Sequence, residues 1–276
     1  MSGEPAEARP VIITEVIDRI GFITLNRPER RNALNGALVA ALDASVKQMA
    51  ADPEVKVVVL TGAAPEGALG GFCSGGDVKD GGRGSPGMEL GVPPDALEGD
   101  LARHDTHAAM LLHLMPKPTI AMVGGPAVGA GASLAAACDL RFASTDAVFA
   151  AKFSSNGLSG DYGGSFLWTR IIGTARVREL YLLNEIIPAA KALEYGMVHA
   201  VLPGAELAEY TMLKARQMAR TPAVVMRLVK ANLNAAEDEV DRRRYLFAHE
   251  AENQAESSRQ MAFRLAEAAR RTAQQP

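Results

Sequence analysis

Two glycine-rich turns, each of which follows a short apolar run, constrain this chain more than any other feature of its sequence. Residues 71–77 follow the apolar run 55–61, and residues 124–131 follow the run 119–123. Both runs have the length of a buried strand, and the small, apolar residues 129–138 predict a helix packed closely on other backbone. Such turns leave backbone N–H groups unpaired, and a helix N-terminus adds partial positive charge. Glycines in either turn alone are also typical of close packing, but both turns are suited to hold an oxyanion.

The rest of the sequence alternates between strand and helix patterns. Residues 11–15 and 20–25 predict a hairpin, and the apolar spacing over residues 34–49 predicts a helix that ends before Pro53. Further segments follow the same two patterns: a helix from about 101 to 114, strands at 140–143 and 147–149, and helices at 165–172, 174–183, 188–195 and 206–218. Strands interleaved with helices predict an α/β domain with largely parallel strands.

Composition limits the classes of protein to consider. The 276 residues suit one large domain, or one domain with a helical appendage, and the 48% hydrophobic fraction is typical of a globular chain. A net charge of −3, with no run of like charge longer than residues 242–244, argues against a nucleic-acid partner. Only Cys73 and Cys138 occur, and residues 1–10 contain no apolar signal segment, so we expect a cytoplasmic protein.

Membrane, metal and serine-hydrolase functions are not indicated. Residues 118–138 carry no charge over about the length of a membrane span, but their glycines and Pro126 divide them into strand, turn and helix. No His, Cys and Asp cluster has the spacing of metal ligands, and no Gly-x-Ser-x-Gly motif occurs. We therefore expect no membrane association and no metal site.

Four segments have an order and spacing specific to one protein family. They are Asn-Arg-Pro-Glu-Arg-Arg-Asn-Ala-Leu-Asn at 26–35, Phe-Cys-Ser-Gly-Gly-Asp at 72–77, Gly-Pro-Ala-Val-Gly-Ala-Gly-Ala-Ser-Leu at 125–134 and Cys-Asp-Leu at 138–140. The sequence resembles the enoyl-CoA hydratase/isomerase family, also called the crotonase superfamily. Residues 189–198 also resemble the family's segment after the active site, whereas the tail matches the family pattern only vaguely.

The resemblance implies an α/β fold built as a crotonase-like spiral of β-β-α units. It implies a disordered N-terminus at 1–10, an acyl-CoA-binding core at 11–202 and a helical C-terminal region at 203–276 that mediates trimerisation. We expect a homotrimer or a dimer of trimers. The implied substrate is an acyl-CoA thioester, with coenzyme A as part of the substrate and no separate cofactor.

The resemblance also implies the residues of the site. The backbone amides of Gly76 and Ala130 are the expected oxyanion donors for the thioester carbonyl. Asp77 is expected to shape its loop rather than to act in catalysis, and the basic residues near Arg27 are expected to meet the phosphates. The expected coenzyme A contacts are Arg30, Arg31, Ser74, Gly75, Asp77, Val78 and Lys79.

The acid and base residues indicate the reaction. Hydratases of the family use two glutamates, and the aligned positions here hold Ser133 and Phe153, neither of which transfers a proton as a carboxylate does. Asp161 aligns with a functional aspartate of several relatives, including ring-opening and double-bond isomerases and a chlorobenzoyl-CoA dehalogenase. The dehalogenase role needs a Trp near Asp161, which Trp168 in the following helix does not supply. An Asp among glycines is also a common turn former.

We therefore predict double-bond isomerisation of an acyl-CoA with Asp161 as the proton shuttle. Ser133, Phe153 and Tyr162 are possible pocket residues; Ser133 can hold a water, and Tyr162 either orients Asp161 or packs. The histidines of the helix near residue 107, where relatives build the acyl pocket, are as compatible with an ordinary helix surface: His104, His107 and His113. The alternatives are an enoyl-CoA hydratase, a carbon–carbon bond hydrolase of cyclic diketones and a non-catalytic acyl-CoA-binding protein. The composition of residues 79–99 predicts a mobile loop, and the sequence of this loop does not indicate which acyl chain the pocket accepts.

Overall fold

The computed structural model describes residues 9–68, 70–77, 107–237 and 270. Several predictions concern other residues and lie outside this description. They are the disordered N-terminus up to residue 8, the loop at 79–99 with Val78 and Lys79, the helix before residue 107 with His104, and most of the tail after residue 237.

The described strands and helices alternate along the chain as the sequence predicts. The strands are β1 (Ile12–Ile17), β2 (Ile20–Leu25), β3 (Val57–Gly62), β4 (Thr119–Val123), β5 (Ala127–Val128), β6 (Leu140–Ser144), β7 (Val148–Ala150), β8 (Ile187–Pro188) and β9 (Ala200–Leu202). The α-helices are α1 (Gly36–Ala51), α2 (Ala108–Leu114), α3 (Ala130–Ala137), α4 (Gly164–Leu182), α5 (Ala189–Glu194), α6 (Gly204–Ala219) and α7 (Ala223–Glu237).

The larger sheet has the strand order β1-β2-β3-β4-β6-β9. The first pair is an antiparallel hairpin, and the other pairs are parallel. Asp18 and Arg19 link the hairpin with φ of 50° and 67°, which suits a two-residue turn that follows the twist of the strands. The predicted hairpin and the parallel sheet are therefore confirmed.

The sheet has a hydrophobic layer on each face. Side chains alternate along β3: Val58 and Leu60 belong to the main core with α1, α3 and α4, whereas Val57 and Val59 pack with Leu207 of α6. All six residues of β3 are buried. Residues 57–60, the uninterrupted apolar part of the run 55–61, thus have the composition expected of a strand covered on both sides.

A smaller sheet of β5, β7 and β8 lies beside the glycine-rich turns, with β5 parallel and β8 antiparallel to β7. Each of β5 and β8 has two residues, which is too short to show an alternating pattern in the sequence. The prediction missed both strands, and it also missed the three residues of β9.

Helix α4 is bent at one glycine. Gly173 has φ 78° and ψ 163°, values outside the helical region, so the segment consists of two helical pieces. The sequence predicts these pieces as helices at 165–172 and 174–183, with the break at the same residue. This prediction is confirmed.

None of the described helices is long and apolar enough to cross a bilayer. Residues 118–138, the uncharged segment, form β4, β5 and α3 with the turns between them.

Candidate active site

The two glycine-rich turns lie side by side. Cys73 forms an isolated parallel bridge with Ala127: the Cys73 amide donates to the Pro126 carbonyl at 3.1 Å, and the Val128 amide donates to the Cys73 carbonyl at 3.0 Å. A Cβ atom at Gly131 would collide with the Cys73 carbonyl. Glycine at 131 therefore allows the first turn of α3 to approach this backbone closely.

The amide of Gly76 faces away from the segment that supports its own loop. The Leu34 amide donates to the Gly75 carbonyl at 2.8 Å, and the Asp77 amide donates to the Leu34 carbonyl at 2.9 Å. In this parallel pairing the residue between the two bonded groups, Gly76, directs its N–H to the opposite side. Gly75 has φ 89°, a conformation that favours glycine and turns the chain here.

The second amide belongs to Ala130, the first residue of α3. Amides in the first turn of a helix have no partner within the helix. In the part of the chain that the structure describes, neither this amide nor that of Gly76 donates to another residue. Each lies three residues after the bridged pair Cys73 and Ala127, so the two amides occupy equivalent positions on adjacent parallel segments.

A buried polar network supports the loop that carries Gly76. The Asn32 side chain donates to the carbonyls of Ala63 and Phe72 at 3.0 and 2.9 Å and accepts from the Arg27 amide at 2.9 Å. The Arg27 guanidinium donates to the Asp77 carboxylate at 3.0 Å, and Asp77 is 4% exposed. Asp77 thus has the loop-shaping contacts that the sequence analysis expects. The sequence analysis gave Asn32 no role, although it lies in a quoted motif.

A cavity of about 430 Å³ opens beside this loop. Its lining brings together five residues from the two segments that the sequence analysis selected for coenzyme A and the oxyanion: Arg30, Arg31, Ser74, Gly76 and Asp77, with Glu29 and Ala33 beside them. The side chain of Arg30 is 37% exposed and also lies 3.6 Å from the Asp77 carboxylate. This cavity therefore offers positive charge and backbone donors to an anionic ligand.

Ser133 and Phe153 are both packed into the protein. The Ser133 hydroxyl is buried, donates weakly to the Gly129 carbonyl at 3.4 Å, and lies against Gly164, where a Cβ atom would collide with it. The Phe153 ring stacks on Tyr181 with centroids 5.9 Å apart. Neither side chain supplies a carboxylate at these two positions.

Asp161 lies in the turn before α4, together with Tyr162. The charge of Asp161 acts on Cys73, whose thiol pKa is raised to about 12, mainly by burial and further by this carboxylate. Cys73 belongs to the same glycine-rich turn as Gly75 and Gly76. Trp168, by contrast, is a core residue that packs on Phe149 at 6.1 Å.

A second acidic group reaches the same region from α1. Asp43 accepts a hydrogen bond from the Ala108 amide at 2.7 Å at the start of α2, and its other oxygen lies 4.0 Å from Nδ1 of His107. Burial raises the pKa of Asp43. The His107 ring lies 5.8 Å from the ring of Tyr162. No signal in the sequence links residue 43 to residue 107, so this pair could not be found by spacing.

The sequence matches the model of the enoyl-CoA hydratase/isomerase family over residues 15–270. The chain belongs to this family. It is 36% identical over 228 residues to the 1,2-epoxyphenylacetyl-CoA isomerase of Escherichia coli K12, an alignment that covers 82% of both chains. A probable enoyl-CoA hydratase of Mycobacterium tuberculosis H37Rv is 38% identical over 173 residues, or 62% of this chain and 58% of that protein.

Solved structures agree with the crotonase fold. An enoyl-CoA hydratase from Mycobacterium avium subsp. paratuberculosis K-10 superimposes with a TM-score of 0.75 at 31% identity, covering 92% of this chain and 95% of the other. A monofunctional enoyl-CoA isomerase from M. smegmatis gives 0.67 at 29% identity, covering 84% and 95%. The protein is therefore an acyl-CoA enzyme with an α/β crotonase fold.

The described part of this crotonase contains no group of three or more His, Cys, Asp or Glu side chains that could hold a metal ion. The Asp43–His107 pair lies beside the ring of Tyr162, which follows Asp161 in the chain. Carboxylate, imidazole and phenol groups can transfer protons, and unpaired backbone amides can stabilise an anion.

Proposed function

We propose that this crotonase isomerises a double bond in an acyl-CoA thioester, with the amides of Gly76 and Ala130 as the oxyanion donors and Asp161 as the proton shuttle. The observation that carries the proposal is the distribution of carboxylates. Both glutamate positions of the family's hydratases hold packed, non-acidic side chains, whereas Asp161 supplies a carboxylate in the turn before α4.

The reaction balances with one carboxylate. From a 3-enoyl thioester, the Asp161 carboxylate takes a proton from Cα, and the electron pair spreads over the thioester oxygen and Cγ. The amides of Gly76 and Ala130 hold the resulting negative charge. Protonated Asp161 then returns the proton to Cγ, which yields the 2-enoyl thioester with an unchanged formula. Syn hydration would need a group to activate water and a second group to protonate the carbon.

The proposed coenzyme A site is the cavity beside residues 74–77. Arg30 and Arg31 supply positive charge for phosphate groups, and Ser74 and Gly76 line the same cavity. Gly75, which lies between Ser74 and Gly76, belongs to the same proposal from the sequence. Asp77 acts through Arg27 by fixing the loop. Val78 and Lys79 continue this segment and belong to the same proposal from the sequence.

Product mass separates the candidate reactions. Incubation with a 3-enoyl-CoA is expected to give the 2-enoyl isomer at unchanged mass, whereas a hydratase acting on a 2-enoyl-CoA adds about eighteen mass units. Cleavage of a cyclic diketone that lacks coenzyme A would favour the hydrolase alternative. Hydration without isomerisation would refute the proposal, although the family membership would stand.

Ligand-induced stabilisation tests the binding half of the proposal separately. Acetoacetyl-CoA at a hundred times its Kd would add about 2.7 kcal/mol to the free energy of unfolding, and the melting temperature should rise accordingly. An unchanged melting temperature at saturating ligand would contradict a coenzyme A site.

A further inference from the structure

Tyr162 occupies a backbone conformation that large side chains rarely adopt. Its φ is 52°, and it lies between Gly160 at 142° and Gly163 at 68°. Non-glycine residues with positive φ carry a conformational cost, which persists only where the surrounding structure imposes it. The turn therefore directs the Tyr162 side chain to one place at the expense of backbone strain.

The Tyr162 hydroxyl at that place is buried and lacks a hydrogen-bond partner in the described residues. Most buried polar atoms in native proteins are hydrogen-bonded, so an unpartnered phenol is an exception that needs a reason. Burial, together with the nearby charges of Asp161 and Asp43 and the Cys73 thiol, raises the pKa of the Tyr162 hydroxyl well above its usual value of 10.0. The hydroxyl therefore keeps its proton and can act as a donor.

The hydroxyl lies among groups of the proposed site. Asp161 precedes it in the chain, the His107 ring packs on its own ring at 5.8 Å, and Cys73 leads into the oxyanion turn. In the proposed function the acyl group lies beside Asp161, the residue next to Tyr162 in the chain. A plain hydrocarbon acyl chain would leave this donor buried and unpaired.

We propose that the Tyr162 hydroxyl donates a hydrogen bond to an oxygen atom of the acyl group, so that the substrate class is an acyl-CoA with an ether, epoxide or carbonyl oxygen beyond the thioester. The inference rests on the proposed function, because it requires the acyl group to lie beside Asp161. Sites built to bond a substrate oxygen reject analogues that lack it, since their own polar group is left unpaired.

Four thioester ligands of nearly equal shape test the inference. Cyclohexylacetyl-CoA is compared with the three tetrahydropyranylacetyl-CoA isomers, in which one ring methylene is replaced by an ether oxygen. Dissociation constants are measured by calorimetry for the wild type, for Tyr162→Phe and for Tyr210→Phe. The Tyr210 control also removes one phenol hydroxyl, but from a ring that packs on Phe142 in the other hydrophobic cluster. Melting temperatures establish that each variant is folded.

The wild type and Tyr210→Phe are expected to bind at least one ether isomer about tenfold more tightly than the cyclohexyl ligand. Tyr162→Phe should remove this preference, because its ring keeps the contact with His107 but has no donor. Equal affinities for all four ligands in the wild type would overturn the inference. A preference for the ether ligand that Tyr162→Phe retains would also overturn the inference. If Tyr162→Phe instead loses the same affinity for the ether and cyclohexyl ligands, the inference is again overturned, because Tyr162 then only positions its neighbours.

The same ligands separate this inference from the function on which it rests. All four carry the thioester and coenzyme A, so binding without an ether preference refutes the role of Tyr162 and leaves the coenzyme A site intact. Failure of all four ligands to bind would overturn the acyl-CoA site and this inference together.

Discussion

Asp161 is the residue on which the proposed chemistry depends. Replacing it by Asn preserves the size of the side chain but removes the group that accepts a proton, so turnover of a 3-enoyl-CoA should fall by about 10²–10⁴-fold. Binding of a coenzyme A thioester should change little. Asp146→Asn, at an exposed position, is the matched control and should keep full activity. Steady-state kinetics together with calorimetric binding measure both effects, and equal turnover in the two variants would exclude the shuttle role.

The two buried cysteines make the stability depend on pH. Burial raises the pKa of Cys73 and of Cys138 from 9.0 to about 12, so the folded thiols keep protons that the unfolded thiols release above pH 9. Below pH 8 the two thiols therefore do not make the free energy of unfolding depend on pH. Above pH 9 the free energy of unfolding decreases by about 1.4 kcal/mol per thiol and pH unit. Denaturant titration at pH 8 and pH 10 should show that the wild type loses about 2–3 kcal/mol more than Cys73→Ala/Cys138→Ala. Equal losses would show that the thiols are not protected.

Individual side chains were predictable where a motif carries them and not where long-range packing brings them together. The pattern of residues 72–77 and 125–134 indicated Gly76 and Ala130, and alignment indicated Asp161. The pair of Asp43 and His107 lies 64 positions apart in sequence and meets only because α1 packs on α2. The buried, unpartnered hydroxyl of Tyr162 also depends on a backbone conformation that no residue pattern in the sequence specifies.

Helix α3 positions one of the two amides, and Gly131 sets how closely it can approach. Gly131→Ala places a methyl group against the Cys73 carbonyl, which must displace α3 or the turn. Because loss of an oxyanion donor typically costs 10²–10³ in rate, activity should fall by about 10²-fold.

Gly173→Ala is the control for backbone strain alone. A Cβ atom there has open space, but the positive φ of 78° is unfavourable for alanine. This variant should lower the free energy of unfolding by about 1–3 kcal/mol and keep its activity. Comparable activities of the Gly131 and Gly173 variants would contradict the positioning role of α3.

Helices and strands were predictable where apolar residues recur at a regular spacing or where a glycine or proline interrupts a helix. The shortest strands were not predictable. The amphipathic spacing over 34–49 gave α1, and the glycine at 173 gave the break in α4. Strands β5 and β8 exist because they pair with β7, an interaction between distant segments that two residues cannot encode.

At the scale of the whole molecule, one buried ammonium group fastens α7 to the core. Lys230 bonds the carbonyls of Leu112 and Lys117 at 3.0 and 3.1 Å and lies 2.8 Å from the Asp139 carboxylate. Lys230→Met keeps the aliphatic stem but removes the ammonium group from these acceptors and leaves the Asp139 charge without its cation, so stability should fall by about 2 kcal/mol and the melting temperature by about 5 °C.

The exposed pair of Arg216 and Asp18 is the matched control for this buried one. Its side chains are 53% and 55% exposed, so Arg216→Met should cost less than about 1 kcal/mol. Calorimetric unfolding of the two variants gives the comparison. A loss at Lys230 no larger than that at Arg216 would contradict an anchoring role.

The trimer implied by the family resemblance stays a prediction. Helix α7 carries apolar side chains that are 44–62% exposed in the single chain: Val224, Val225, Leu228, Val229 and Leu233. Apolar surface of this kind is typical of contacts between subunits. Sedimentation equilibrium is expected to give three or six times the chain mass of 29.1 kDa. A monomer at micromolar concentration would refute the expectation.

Local sequence patterns predicted the order of strands and helices, and therefore the α/β class. They did not predict the arrangement of the sheets, because this arrangement depends on pairing between distant segments. The division into a core at 11–202 and a helical region after it also stays a prediction. Contacts of Lys230 with α2 show that the described part of the later region packs on the core.

The parallel bridge between Cys73 and Ala127 has a consequence for how such an enzyme can change over generations. The groups proposed to polarise the substrate belong to the main chain, so only a substitution by proline deletes one of them, and any other point mutation can only shift it. The surrounding side chains can be exchanged more freely. A laboratory library that randomises only positions 133, 153 and 161 should therefore yield descendants with different reactions but the same thioester activation.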